Sequence, residues 1–353
     1  VSPARPQAPA ATPRRWDLPR GGATAADGIV LVDKHAAVTS HDVVAMTRRM
    51  AATRKVGHAG TLDPMATGLL VLGVGRATRF LTYLVGADKA YRATVRLGQE
   101  TVTEDAEGEV VRARGARAAE VAECLEPALD ALTGEIMQVP SAVSAIKVDG
   151  VRSYTRVRQG EDVELPARPV TIHSLTRQGG LRQERASDGT VVVDLDLTVS
   201  CSSGTYVRAL ARDLGVALGC GAHLTALRRT VVGPFDVSEA ATVERLAGLV
   251  EADAAADRPQ GMATLSLSEV ARRCFPVVSL SEAEARAVGY GQLLPVGVMG
   301  RAVVPPRAVV SKAGGTGGVA AGFAPDGQVV ALLTSAKDRT RPLLVLTPSG
   351  GTS

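Results

Sequence analysis

An α+β fold is predicted, and three observations predict it. Helices and strands are mixed along the chain without a regular βα repeat. Period-two stretches such as 91–97 and 191–199 stand beside segments of helical spacing. No G-x-G-x-x-G opens a helix after a strand, so a dinucleotide-binding unit is not supported. With 353 residues the chain is long enough for about two domains and for a core that needs no metal or disulfide staple.

Residues 1–27 are rich in Pro, Ala, Arg and Gly and are expected to form a disordered tail. Order is expected from Gly28, where IVLV suits a buried strand. Ser40 precedes HDVVAMTRRM and is expected to cap a helix. LLVLGV at 69–74 reads as another buried strand. Tyr91, Ala93, Val95 and Leu97 alternate with Arg92, Thr94 and Arg96, as in a half-buried strand. A helix is predicted over 117–133 and a strand over 191–199. Tyr206, Val207, Leu210, Ala211, Leu214 and Leu218 follow helical spacing. A composition shift near 251–264 reads as a loop or linker. The core domain is therefore placed at 28–274. A small β-rich second domain is placed at 275–353, with a Gly-rich loop at 313–318.

Composition narrows the function classes. Aromatics are 3% of the chain, which argues against a single-stranded-RNA binder built mainly on stacked aromatics. Cys124, Cys201, Cys220 and Cys274 are far apart and not joined by clustered histidines, which speaks against zinc and against a disulfide framework. No apolar run is long enough to span a membrane, and the first residues lack a signal-peptide core. A reduced, cytoplasmic protein is expected. The net charge is +4, divided as +2 on the tail, −1 on 28–274 and +3 on 275–353. Within the core the basic residues are bunched: Arg48, Arg49, Arg54 and Lys55; Lys147, Arg152, Arg156 and Arg158; Arg208, Arg212, Arg228 and Arg229. Such clusters are candidates for tracking phosphates, although each alone reads as a solvated face.

The most informative stretch is Gly57-His58-Ala59-Gly60-Thr61-Leu62-Asp63-Pro64-Met65-Ala66-Thr67-Gly68. Three glycines in twelve residues imply an unusual backbone path. Pro64 biases Asp63 toward an extended conformation, which places a carboxylate to point into a cleft. A turn aspartate bonded to its own backbone fits the spacing equally well.

GHAGTLDPMATGLLVLGVGRATR closely resembles the signature motif of the TruB-type tRNA pseudouridine synthases. GIVLVDKHAAVTSHDVV is similar to that family's opening strand and helix, and KAYRATVRLGQETVTEDAEGEV to its next strand and hairpin. QVPSAVSAIKVDGVRSYTRVRQGEDVELPARPV resembles its RNA-gripping insertion, here about 138–166. CSSGTYVRALARDLGVALGCGAHLTALRRTVVGPF resembles its last large motif. Together the five cover roughly residues 28–237 in the family's order. The C-terminal unit is similar in size and position to the family's PUA-type RNA-binding domain.

The resemblance implies the pseudouridine synthase fold, a mixed and mainly antiparallel sheet with flanking helices. It implies isomerisation of uridine 55 in the tRNA T-loop to pseudouridine. The N-glycosidic bond breaks, the base turns and a bond forms to C5. That chemistry needs no cofactor and no metal. Asp63 matches the catalytic aspartate, able to stabilise charge on the ribose, attack C1′, or take a proton from C2′. Covalent attack and the glycal route both need it ionised. Arg208 matches the arginine that pairs with that aspartate, a grip that a lysine would not reproduce. Tyr91 matches the tyrosine that stacks on the target base. Tyr206 and Leu227 match substrate-contacting positions, and His58 a histidine that contacts RNA near the flipped nucleotide. Without the resemblance, Tyr91 and Leu227 read as core residues, and His58 as a loop histidine bonded to backbone. His35 and Ser141 stand where the family commonly has proline, and Val143 where an aromatic is common. The insertion is expected to be a mobile arm that orders on RNA.

The implied partner is the T-arm of tRNA, read by shape and by a flipped base. No obligatory protein partner and no membrane are expected, and a monomer suffices. The alternatives are a guide-RNA-dependent pseudouridine synthase and a non-catalytic tRNA-binding or folding protein. A glycosidase needs two carboxylates flanking the bond, and Asp105, the nearest second candidate, has no supporting pattern.

Overall fold

The computed structural model describes residues 17–141, 147–148, 151–152, 165–295, 297–309, 318–336 and 339–346. It begins with β1 (Gly28–Lys34), α1 (Ser40–Met50), β2 (Val56–His58), β3 (Thr67–Val74) and α2 (Leu81–Val85). β1 and β3 are apolar at consecutive positions because both of their faces are covered. Val30, Val32, Leu70 and Leu72 pack against Val43, Val44 and Met50 of α1. On the other face, Ile29, Leu31, Leu69 and Val71 meet Phe80 and Leu84.

Thr39 caps α1, one residue before the expected Ser40. Its side chain accepts from the Asp42 N–H at 3.1 Å while the Asp42 carboxylate accepts from the Thr39 N–H at 2.9 Å. The Ser40 hydroxyl is used elsewhere. It accepts from the Leu62 N–H at 2.9 Å and donates to the Leu62 carbonyl at 3.2 Å.

The chain continues through β4 (Lys89–Leu97), β5 (Gln99–Thr101), β6 (Val110–Ala113), α3 (Ala118–Ala131) and β7 (Gly134–Gln138). Next come the two-residue strands β8 (Lys147–Val148) and β9 (Val151–Arg152), the long pair β10 (Arg168–Arg185) and β11 (Val191–Cys201), and α4 (Val207–Ala217). β12 (Ala222–Val232), β13 (Phe235–Asp236), α5 (Val243–Ala254), β14 (Leu265–Ser266) and α6 (Leu267–Cys274) follow. The large sheet runs β14-β1-β3-β12-β4-β11-β10-β7, with β13 beside β12 and β2 beside β3. Among its described strand pairings, β3 with β12 is parallel and the rest are antiparallel. The alternation along β4 and β11 buries one face against Val121, Leu125 and Leu129 of α3 and Leu210 and Leu214 of α4.

The parallel junction depends on Gly68. Its φ is +97°, and a Cβ there would lie 2.2 Å from the Arg229 carbonyl oxygen. No other residue type lets β3 come so close to β12.

The C-terminal unit comprises β15 (Val277–Ser279), α7 (Glu282–Gly289), β16 (Leu294–Pro295), β17 (Val319–Phe323), β18 (Val329–Ala336) and β19 (Arg339–Val345). Its sheet order is β15-β17-β18-β19-β16. Phe275, Phe323, Leu332 and Leu346 share one apolar cluster with Ile29 and Leu69 of the large sheet. Phe275 also packs on the rings of Phe80 and Tyr83, and Arg76 Nη1 donates to the Leu346 carbonyl at 2.7 Å.

The tail expected over 1–27 is corrected for residues 17–27, which are packed. Leu18 and Ala25 are buried in the cluster around α1, Ala25 donates to the Ala51 carbonyl at 3.0 Å, and Arg49 Nε donates to the Leu18 carbonyl. Two apolar anchors and a few backbone hydrogen bonds suffice where composition suggested none. Residues 1–16 lie outside the described residues, as do Val143, most of the expected mobile arm and residues 313–317 of the Gly-rich loop.

Candidate active site

The loop between β2 and β3 is pinned from three sides. Ser40 holds Leu62, as described above. Lys34 is fully buried, and its Nζ donates to the carbonyls of Val38 at 2.7 Å, His35 at 3.0 Å and Pro64 at 3.2 Å. Arg229, 1% exposed, donates from Nε to the Leu69 carbonyl at 2.8 Å, from Nη2 to Gly60 at 3.1 Å and from Nη1 to Thr61 at 3.3 Å. Gly60 has φ +97°, a turn in the left-handed region. Asp63 projects from this held loop.

Arg208, in the first turn of α4, meets Asp63 bidentately. Nε lies 3.0 Å from Oδ2 and Nη2 lies 3.2 Å from Oδ1. Nη1 donates to the Thr103 carbonyl at 2.8 Å and to the Ser141 hydroxyl at 3.0 Å. A guanidinium fixed on several sides orients the carboxylate through two charge-assisted hydrogen bonds.

Asp63, Arg208, Tyr91, Tyr206 and Leu227 line one cleft of about 280 Å³, together with Thr205, Lys89 and Arg229. Tyr91 enters from β4 and Leu227 from β12, and Tyr206 is the N-cap residue of α4. Tyr91 is hydrogen-bonded to Arg229, and burial pushes its hydroxyl up to about 12, so it is neutral at pH 7. Burial lowers Lys34 to about 8, against the opposing pull of Asp63 and Glu107. Lys89 is also lowered to about 8 by burial, and its Nζ donates to the Ala87 and Val85 carbonyls at 2.7 and 3.0 Å.

His58 stands apart from the cleft lining. Its ring packs edge-on to His41 with centroids 5.5 Å apart, and its buried Nδ1 has no hydrogen-bond partner among the described residues. Burial first, then His41, lowers its pKa, against the opposing pull of a hydrogen bond with the Gly60 backbone. Among the described residues Asp63 is the one carboxylate that lines the cleft. Asp105 does not line the cleft; its Oδ2 is 3.7 Å from Arg208 Nε, and its side chain is 4% exposed. It is not placed to flank a bond across from Asp63, as a glycosidase would require. No group of three or more His, Cys, Asp or Glu side chains among the described residues is arranged to hold a metal. No described helix is long and apolar enough to cross a membrane.

Two basic clusters need correcting, because much of their charge is used internally. Arg212 pairs with Glu104 at 2.7 Å and Asp213 at 2.8 Å, and Arg228 pairs with Asp33 at 2.7 Å. Arg208 and Arg229 are buried in the site. Arg48 donates to the Val56 carbonyl at 3.1 Å, and Arg49 holds Leu18. Arg54 and Lys55 are exposed. The side chains of the third cluster, at 147–158, lie outside the described residues.

Three family models match the chain in succession. The TruB family pseudouridylate synthase (N terminal domain) matches residues 48–207. The tRNA pseudouridylate synthase B C-terminal domain matches residues 208–269, and tRNA Pseudouridine synthase II, C terminal, matches residues 275–347. The tRNA pseudouridine synthase B of Arthrobacter sp. (strain FB24) is 54% identical over 91% of this chain and 97% of its own length. The chain belongs to the TruB family. The tRNA pseudouridine synthase B of Thermobifida fusca (strain YX) is 49% identical over 92% of this chain and 100% of its own. A solved chain from an H/ACA RNP bound to a substrate RNA containing 2′-deoxyuridine has a TM-score of 0.60 at 22% identity, over 91% of this chain and 84% of that one. One from a Cbf5-Nop10-Gar1 complex has a TM-score of 0.61 at 23% identity, with the same coverage. These two likenesses establish the pseudouridine synthase fold.

In this TruB-family chain, Lys34 and Lys89 shape the site without having been singled out in the sequence, Arg229 stood there only within a basic cluster, and Asp105 only as a second carboxylate. Arg229 carried a usable signal. In a strand, neighbouring residues face opposite sides, so one of the doublet Arg228-Arg229 must turn inward. Lys34 had a weaker one, as the charged end of an apolar run on the same strand face as Val30 and Val32. Lys89 and Asp105 had no local signal, because distant segments decide their burial.

Proposed function

We propose that this protein is a tRNA pseudouridine synthase that isomerises uridine 55 of the T-loop, with Asp63 as the catalytic carboxylate. The observation that carries the assignment of Asp63 is its bidentate pairing with buried Arg208 at the edge of a cleft lined by Tyr91, Tyr206 and Leu227. The relatives' shared name, tRNA pseudouridine synthase B, supports the reaction and the substrate class.

In this reading the target uridine leaves its stack, at a cost on the order of a few kcal/mol, and enters the cleft. The Tyr91 ring and Leu227 give the base an apolar surface to rest on. Asp63 faces the ribose. There it stabilises positive charge, attacks C1′ or accepts the C2′ proton as the N-glycosidic bond breaks. Arg208 keeps the carboxylate aimed. His58, set off from the cleft beside His41, serves the RNA around the flipped nucleotide. The C-terminal unit acts as a PUA-type contact for the rest of the tRNA. The enzyme works in the cytoplasm as a monomer, without guide RNA, protein partner or cofactor.

The test uses purified protein alone, an unmodified tRNA transcript, and pseudouridine mapping by chemical modification and primer extension. A single signal at position 55, absent with Asp63→Asn, is expected. Modification that needs an added guide RNA would favour the guide-dependent alternative. Tight tRNA binding without a signal at any uridine would favour a binding or folding protein.

A further inference from the structure

The insertion leaves the sheet from a paired root. β7 and β10 are joined in register from Gly134 with Ile172 to Gln138 with Arg168. The described residues just beyond that root turn back onto the start of α4. The Gln138 carboxamide makes a reciprocal pair with the backbone of Tyr206, its Oε1 accepting from the Tyr206 N–H at 2.9 Å and its Nε2 donating to the Tyr206 carbonyl at 3.1 Å. Arg212 Nη2 donates to the Val139 carbonyl at 2.8 Å. The Ser141 hydroxyl accepts from Arg208 Nη1 at 3.0 Å. Gln138 and Ser141 are each 1% exposed, so water does not replace these partners when they are lost.

The contacts fall on chosen residues. Tyr206 lines the cleft, and Arg208 grips Asp63. Gln138 also engages the N-cap residue of α4, which sets where the helix begins and hence where Arg208 projects. We propose that Gln138 and Ser141 are positioning residues that set Tyr206 and Arg208 for the reaction at Asp63. Neither lines the cleft. They place the root of the insertion in mechanical series with the carboxylate, so the geometry at Asp63 depends on how that root is seated. The inference rests on the reading of Asp63 as the catalytic group.

The effect should appear in the chemical step rather than in binding. Ser141→Ala removes an acceptor from a charged donor, and a single-turnover rate about tenfold lower at saturating enzyme is expected. Affinity for an unmodified tRNA transcript should change by less than about twofold on the same scale. Ser141→Thr keeps the hydroxyl and should recover most of the rate. Gln138→Met, which keeps length but loses both hydrogen bonds, is the second variant and should also lower the saturating rate. Thermal unfolding of each variant checks that the fold persists. If Ser141→Ala and Gln138→Met lose only stability or affinity, with the saturating rate at the wild-type level, the positioning role is wrong. If the wild type itself forms no pseudouridine, it is the reading of the function that fails.

Discussion

Arg208 and Asp63 share two hydrogen bonds but not one environment: the arginine side chain is 5% exposed and the aspartate 34%. The cation belongs to the interior and the anion to the cleft. An arginine already taken out of water and held by the Thr103 carbonyl and Ser141 has little freedom to follow a moving partner. The carboxylate is therefore held on a fixed bearing at the edge of the cleft.

Replacing the fork by a point charge tests that bearing. Arg208→Lys keeps the charge but loses the second nitrogen of the grip. The single-turnover rate should fall on the order of a hundredfold. A rate within a few-fold of wild type would mean that charge alone suffices.

Gly68→Ala tests the parallel junction. The added methyl meets the Arg229 carbonyl oxygen at 2.2 Å, in a backbone region strained for alanine. Strain and overpacking together should cost about 2–6 kcal/mol, read from urea unfolding. Retained stability with lost activity would show that the strands part locally rather than unfold.

Tyr91→Phe keeps the ring and removes the bond to Arg229. A buried guanidinium N–H then loses its acceptor, and a loss of about 1–3 kcal/mol in unfolding free energy is expected. An unchanged value would mean that the cleft hydrates to replace the phenol.

Lys34 sets a pH window. As an ammonium it offers three N–H groups to three carbonyls, and as a neutral amine it offers two. Its pKa is lowered to about 8, so the hold on Pro64, the longest of the three bonds, weakens as pH rises through 8. The single-turnover rate should fall over that range. Stability should move the other way. Between pH 8 and the ordinary value of 10.5 the unfolded chain binds more protons at this group than the folded chain, so its contribution to folding grows with pH. Lys89→Met removes the other lysine lowered to about 8. A rate limb lost in that variant would belong to Lys89 rather than Lys34.

Much of the scaffold was legible because local periodicity decides it. The alternation from Tyr91 to Leu97 became β4, and that from Val191 became β11. The helical spacing after Tyr206 became α4. The cap of α1 was misplaced by one residue, because Thr39 and Ser40 are equally good cap chemistry and only the packing of Leu62 selects between them. Asp63 stood out through its glycines and proline. Arg229 was misread because charge normally marks surface. The energetics invert where β12 passes the loop carbonyls of Gly60 and Thr61 and the Leu69 carbonyl of β3, all three of which accept from Arg229. That need arises 160 residues away, and the local doublet tells only that one of Arg228 and Arg229 turns inward, not what it meets there.

The same separation dictates an order of events. Until β12 has emerged during synthesis, the segment around Asp63 lacks the side chain that neutralises its carbonyls, and β3 lacks its parallel neighbour. A nascent chain that stops short of residue 222 carries the whole Gly57–Gly68 signature without the framework that shapes it. The cleft around Asp63 is thus completed late in synthesis, and a chain that ends before β12 lacks the framework that holds the carboxylate in place.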